Sequence, residues 1–125
     1  MKIRYKSIID KHVIPIITEQ GYTYKFFRRP LSQSYLFTSI IPGLRMDISV
    51  SVLFGDTYPR IRFKVSQHRL FEYFNFIGIE GFTDGYHFST EEEMIDWIRL
   101  LLPYVFELEL LFRGQKEQEV GNKLS

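Results

Sequence analysis

Leu44-Arg45-Met46-Asp47-Ile48-Ser49-Val50-Ser51-Val52-Leu53-Phe54 is the stretch that decides the fold. Leu44, Met46, Ile48, Val50, Val52 and Phe54 fall at every second position, and Arg45, Asp47, Ser49 and Ser51 lie between them. Successive side chains of a strand point to opposite faces, so this pattern is a strand with one face in a core and the other towards water. Leu53 is the single departure. Parallel strands are usually buried on both faces, so half-burial points to an antiparallel sheet.

Working outward, Tyr58 to Val65 alternates again. Pro59, Ile61, Phe63 and Val65 stand against Tyr58, Arg60, Arg62 and Lys64, and Gly55-Asp56-Thr57 supplies the turn between the two strands. On the other side, Gln33 to Ile41 reads as a strand ending at Pro42-Gly43, a strong turn signal. Before it, Tyr22 to Arg29 is an aromatic-rich strand ending at Pro30. Short connections between successive strands predict a meander.

Helical periodicity brackets the strands. Ile9, Val13, Ile16, Ile17 and Gln20 share a face over Lys6 to Gln20, with a kink expected at Pro15 and a C-cap at Gly21. Thr90-Glu91-Glu92-Glu93 resembles a capping box. It opens a stripe of Met94, Ile98, Leu101, Leu102, Val105, Leu108 and Phe112, with a kink or a break expected at Pro103. Between strands and closing helix, His68 to Tyr86 reads as a covering loop with a short helical turn near Leu70 to Phe74. Tyr86 to Phe88 reads as a brief extended return. The predicted fold is α+β: a two-layer sandwich in which an antiparallel meander of about four strands is covered by the N- and C-terminal helices. Residues 1–114 form one domain in this reading, and 115–125 a polar tail.

The 125 residues are one domain's length, and 45% hydrophobic with 25% charged residues is globular composition. The absence of cysteine excludes disulfides, thiolate catalysis and cysteine-ligated metal sites. It suits a cytoplasmic protein. The charged start, Met1-Lys2-Ile3-Arg4, is unlike a signal peptide, and Leu100 to Phe106 falls far short of the ~20 apolar residues that span a membrane. No membrane association is expected.

The net charge of +1 conceals a split. Residues 1–69 hold 12 Lys/Arg against 4 Asp/Glu, and residues 70–125 hold 4 against 11. Arg60, Arg62 and Lys64 share the solvent side of one strand, Arg45 is in phase on its neighbour, and Arg28 and Arg29 end the first strand. A positive sheet face of this kind suits an acidic partner or phosphates, or else is a solvated surface. Nucleic acid is not expected, because net charge is small and Tyr58 is the only aromatic in phase with the cations.

Catalytic and metal motifs are absent. His12, His68 and His87 belong to no ligand motif such as H-E-x-x-H. Ser66 and Ser89 stand near histidines without a nucleophile elbow. Gly78, Gly81 and Gly85 lack the Gly-Lys-Ser/Thr ending of a phosphate loop, and capping accounts for Glu91 to Glu93. No catalytic residue, cofactor or metal is implied, and binding is expected over catalysis. The aromatic segment from Leu70 to Phe88, with Phe71, Tyr73 and Phe74 foremost, either closes the open end of the sandwich or adds to a protein interface.

The layout of an opening helix ending in Gly21-Tyr22, the strand Met46 to Phe54 and a closing Thr90-x-x-Glu93 helix resembles small bacterial helix–meander–helix proteins of unknown function. Some relatives of such families accompany polymorphic toxins and are thought to be immunity proteins. The likeness spans residues 3–113, is one of layout, and transfers no site residue. It implies a bacterial, immunity-like protein-binding role. The candidate contacts are Arg28, Arg45, Tyr58, Arg60, Arg62, Lys64, Phe71, Tyr73 and Phe74, with a partner protein or a second copy of the chain as the occupant. The alternative is a small anionic ligand, or an enzyme's substrate, held between sheet and helices by Tyr24, Arg28, Arg45, Tyr58 and Arg62.

Overall fold

A computed structural model describes residues 3–55, 57–80 and 85–114 of the chain. The element order is α1 (Tyr5–His12), α2 (Ile14–Glu19), β1 (Tyr22–Arg29), β2 (Ser32–Ser39), β3 (Asp47–Leu53), β4 (Arg60–Val65), β5 (His68–Arg69), α3 (Leu70–Phe76), β6 (Tyr86–His87) and α4 (Glu91–Gly114). Asp56, Gly81, Phe82 and the expected tail at 115–125 lie outside the described residues.

The sheet is the expected antiparallel meander, in the order β1-β2-β3-β4-β5, with β6 also pairing β4. Ile48, Val50 and Val52 of β3 lie opposite Val65, Phe63 and Ile61 of β4, and all six are buried. Tyr35 and Phe37 of β2 continue this apolar face. The helices cover it with Ile9, Val13, Ile17, Met94, Ile98, Leu101 and Val105, so one core lies between the two layers.

The two prolines have different outcomes. At Pro15 the opening helix divides: α1 ends at His12, and Pro15 falls in the first turn of α2, where no helical partner is needed for its missing N–H. Pro103 neither breaks α4 nor ends it. Its ring and the Arg99 one turn earlier are both exposed, so the Arg99 carbonyl, which loses its helical donor, is on the solvent side.

The helix layer has a definite register. The Arg4 backbone N–H donates to Glu91 Oε2 at 2.7 Å. At the far end the Tyr22 hydroxyl donates to Glu109, and both pairs are 87 residues apart. A constant offset means that α1–α2 runs beside α4 in the same direction. The capping box holds α4 at its start: the Glu93 N–H donates to Thr90 Oγ1 at 3.1 Å, while Glu93 Oε1 accepts from the Ser89 N–H and hydroxyl.

His68 to Tyr86 holds more structure than a covering loop. Ser66 and Gln67 take φ of 49° and 72° in the two-residue turn that pairs Val65 with His68, the primed geometry that tight hairpins favour. The expected helical turn extends to Phe76.

Candidate functional site

The strand register assigns every strand side chain to a face. Opposite the core, β1 presents Thr23, Lys25, Phe27 and Arg29, and β2 presents Ser32, Ser34, Leu36 and Thr38. On the same face, β3 contributes Asp47, Ser49, Ser51 and Leu53, β4 contributes Arg60, Arg62 and Lys64, and β5 contributes Arg69. Side chains opposite each other across the sheet form rows. One row runs Arg29, Ser32, Leu53, Arg60, and another Lys25, Leu36, Ser49, Lys64, Arg69.

The result is a field of small hydroxyl side chains between two banks of cations. Strands stand about 4.8 Å apart, so the β1 and β4 banks are roughly 14 Å apart. Ser34 and Ser51 share a hydrogen bond of 2.9 Å in the middle. Asp47, at one corner, is the only carboxylate that the described strands place on this face. Lys25, Arg29 and Arg69 are exposed. Arg60, Arg62 and Lys64 are half-buried, and each makes further contacts within the protein. Gly85 packs against the stem of Arg60: a Cβ there would stand 2.8 Å from Arg60 Cδ. Phe27, 40% exposed, is an apolar contact between the banks.

The candidate residues are thus brought together in part. Arg60, Arg62 and Lys64 form one stripe. Arg45 precedes β3 and Tyr58 precedes β4, and because these strands are antiparallel the two residues lie at opposite ends of the sheet. Arg28 is on the other face, in phase with Tyr24 and Phe26, its guanidinium 5.8 Å from the Phe26 ring centre. Tyr24, Arg28, Arg45, Tyr58 and Arg62 therefore form no common anion pocket. Tyr73 and Phe74 are buried, Phe74 edge-on to Tyr104 at 4.9 Å, and Phe71 is half-buried. Tyr73 and Phe74 of α3 close the core, while the large apolar side chains Phe76 and Ile77 at this helix end are exposed.

Sequence reasoning passed over Lys25 and Arg69 as partners of that stripe, and named Arg29 with the basic face without separating it from Arg28. A signal for the β1 residues was present. Tyr22, Tyr24 and Phe26 mark the core phase of β1, which places Lys25 and Arg29 outward and Arg28 inward.

Other polar groups have structural roles. Glu109 is buried between the Tyr22 hydroxyl and Arg113, whose Nη2 is 2.8 Å from Oε2. Burial, reinforced by the hydrogen bond to Glu109, holds the Tyr22 phenol well above its ordinary pKa. Burial also pushes Tyr35 up to about 12, with Asp10 adding to the effect. Arg4 hydrogen-bonds Glu91 and holds its carboxyl below the ordinary range. The three histidines stand apart. His12 is on α1, His68 bonds Glu72 and stacks on Phe112, and the His87 carbonyl accepts from Trp97 Nε1. Among the described residues no group of three His, Asp or Glu side chains could hold a metal ion. No described helix is long and apolar enough to cross a membrane.

Fold and face together define an α+β sandwich with helices on one side of the sheet and a cation-banked surface on the other. No protein-family model, curated protein or solved structure matches the chain.

Proposed function

We propose that the protein is a non-catalytic binding module that docks an acidic surface of a partner protein on the outer face of its sheet. The observation that carries this reading is the register, which aligns Lys25 and Arg29 with Arg60, Arg62, Lys64 and Arg69, while the described strands place one carboxylate, Asp47, on that face. Charge of one sign over such a face steers an oppositely charged surface and fixes its orientation. A protein partner fits better than a nucleic acid. Single strands need successive exposed aromatics to stack bases, and Phe27 is the only aromatic the described strands place here. A second copy of the chain would set cation against cation if it used the same face. The working compartment in this reading is the bacterial cytoplasm, consistent with a chain free of cysteine. An immunity-like role, with a toxin as the partner, is the form that the resemblance in layout implies.

The test uses two adjacent residues on opposite faces. Affinity capture from the source cell is run with the natural protein, Arg29→Glu and Arg28→Glu. The two variants change charge equally at neighbouring positions of one strand. The partner is expected to be lost with Arg29→Glu and with raised salt, and kept with Arg28→Glu. Equal retention by both variants, or loss only with Arg28→Glu, refutes the outer face as the docking surface.

A further inference from the structure

A second feature lies in the helix layer and is independent of the sheet face. Where α1–α2 runs beside α4, a groove of about 420 Å³ opens to solvent. His12 and Ile16 form one wall, Arg99, Pro103 and Phe106 the other, and Ile98 and Leu102 the floor. The offset of 87 residues between the two runs sets His12 beside Arg99 and Ile16 beside Pro103. The groove is therefore polar at one end and apolar along the rest.

The polar end is cationic. Lys11 and Arg99 both act on His12, which burial and these two charges hold below its ordinary pKa. Among the described residues, the ion pairs Arg4–Glu91, Lys6–Asp10, His68–Glu72 and Arg113–Glu109 leave Lys11, His12 and Arg99 without a carboxylate. Glu93 and Asp96 line a different depression with Trp97 and Leu100. Single apolar side chains on a surface need no explanation. A continuous apolar trough with the Arg99 guanidinium lining one end, and the Lys11 charge acting on His12 beside it, is a head-and-tail arrangement. Its volume is in the lower range of small-molecule sites, about 300–1,000 Å³. From Arg99 to Phe106 it extends roughly 10 Å along the helix axis, at about 1.5 Å per residue.

We propose that this groove binds a medium-chain alkyl carboxylate, its carboxylate at His12 and Arg99 and its chain against Ile16, Pro103 and Phe106. The carboxylate accepts hydrogen bonds from the guanidinium, and the chain removes the exposed parts of Ile16 and Phe106 from water.

The experiment is calorimetric titration of the full chain with decanoate below its micellar concentration. Decanol and an acidic amphipathic helical peptide are titrated in parallel, and circular dichroism checks the fold of each variant. One decanoate is expected to bind saturably, decanol at least tenfold more weakly. Arg99→Gln is expected to weaken decanoate at least fivefold, Arg99→Glu more, and Ile16→Ser severalfold. Backbone amide shifts of the natural protein should move at Ile98, Arg99 and Phe106. Absence of saturable binding overturns the proposal. So does equal binding of decanol, equal binding by folded Arg99→Glu, or peptide binding that decanoate does not displace.

Discussion

Phe74→Ala separates the two roles that the aromatic segment could have. In a docking surface, Phe74 would contribute to partner affinity and little to folding. The structure makes it a core residue: it is 0% exposed and lies edge-on to Tyr104 at 4.9 Å, and α3 packs against α4 and β4. Removing a buried Phe ring typically costs about 3–5 kcal/mol, and an edge-to-face aromatic pair accounts for roughly 0.5–1.5 kcal/mol beyond area. The expected loss is therefore about 4 kcal/mol, a large share of the roughly 5–15 kcal/mol of a whole domain. Phe76→Ala is the control, since Phe76 is 46% exposed two residues further along the same helix, and its cost should be within about 0.5 kcal/mol. Urea unfolding read by circular dichroism gives both values, and an unchanged denaturant slope shows that only stability has moved. A Phe74→Ala protein destabilised by less than about 1 kcal/mol would refute the core assignment and return α3 to the candidate interface.

Further outcomes are expected at Tyr22, Tyr35, Glu91 and Gly85. Tyr22→Phe removes a hydrogen bond to a buried carboxylate and should destabilise by about 1.5–3 kcal/mol. Tyr35→Phe removes a buried hydroxyl without a hydrogen-bond partner and should be neutral or stabilising by up to about 1 kcal/mol, both read by urea unfolding. Because the folded Tyr22 phenol titrates above its ordinary value of 10.0, its contribution is complete below that pH and is lost as pH rises through the folded value. Tyr22→Phe should therefore flatten the alkaline limb of the stability profile. Glu91 has the opposite sign. Its folded pKa lies below 4.5, so its contribution is complete above that pH and fades as acid protonates the folded carboxylate. Glu91→Gln should flatten the acid limb. Gly85→Ala places a Cβ against the Arg60 stem at φ of +100°, and the left-handed backbone alone should cost about 1–2 kcal/mol in the same unfolding assay.

Legibility followed how each element meets water. The β3 pattern was readable because its two faces differ in polarity, and the register confirmed it, with Ile48, Val50 and Val52 buried. In β1 both phases carry aromatics and cations, so hydropathy alone left the faces open, and Arg28 was grouped with residues that lie across the sheet from it. The prolines show a different limit. Whether a missing donor breaks a helix depends on where the affected carbonyl points and on whether the proline falls in a first turn. Those are properties of the assembled layers, not of spacing. The aromatic segment lacked a clean period because α3 is short and is buried on the side of Leu70, Tyr73 and Phe74 only.

The two proposed sites have opposite designs, and that makes them separable. The sheet face spreads its cations over three strands, β1, β4 and β5, around hydroxyl groups, which suits a broad acidic surface. The helix groove sets one lining cation, Arg99, at the end of an apolar trough, which suits one small amphiphile. The sheet and its core lie between them, so changes at the two sites should be additive, as expected for positions more than about 7–10 Å apart without shared partners. Arg29→Glu should leave decanoate affinity unchanged, and Arg99→Glu should leave partner capture unchanged. If either variant disturbs the other site's ligand, the two are coupled through the core, and the register that separates the faces is an incomplete description of how they work.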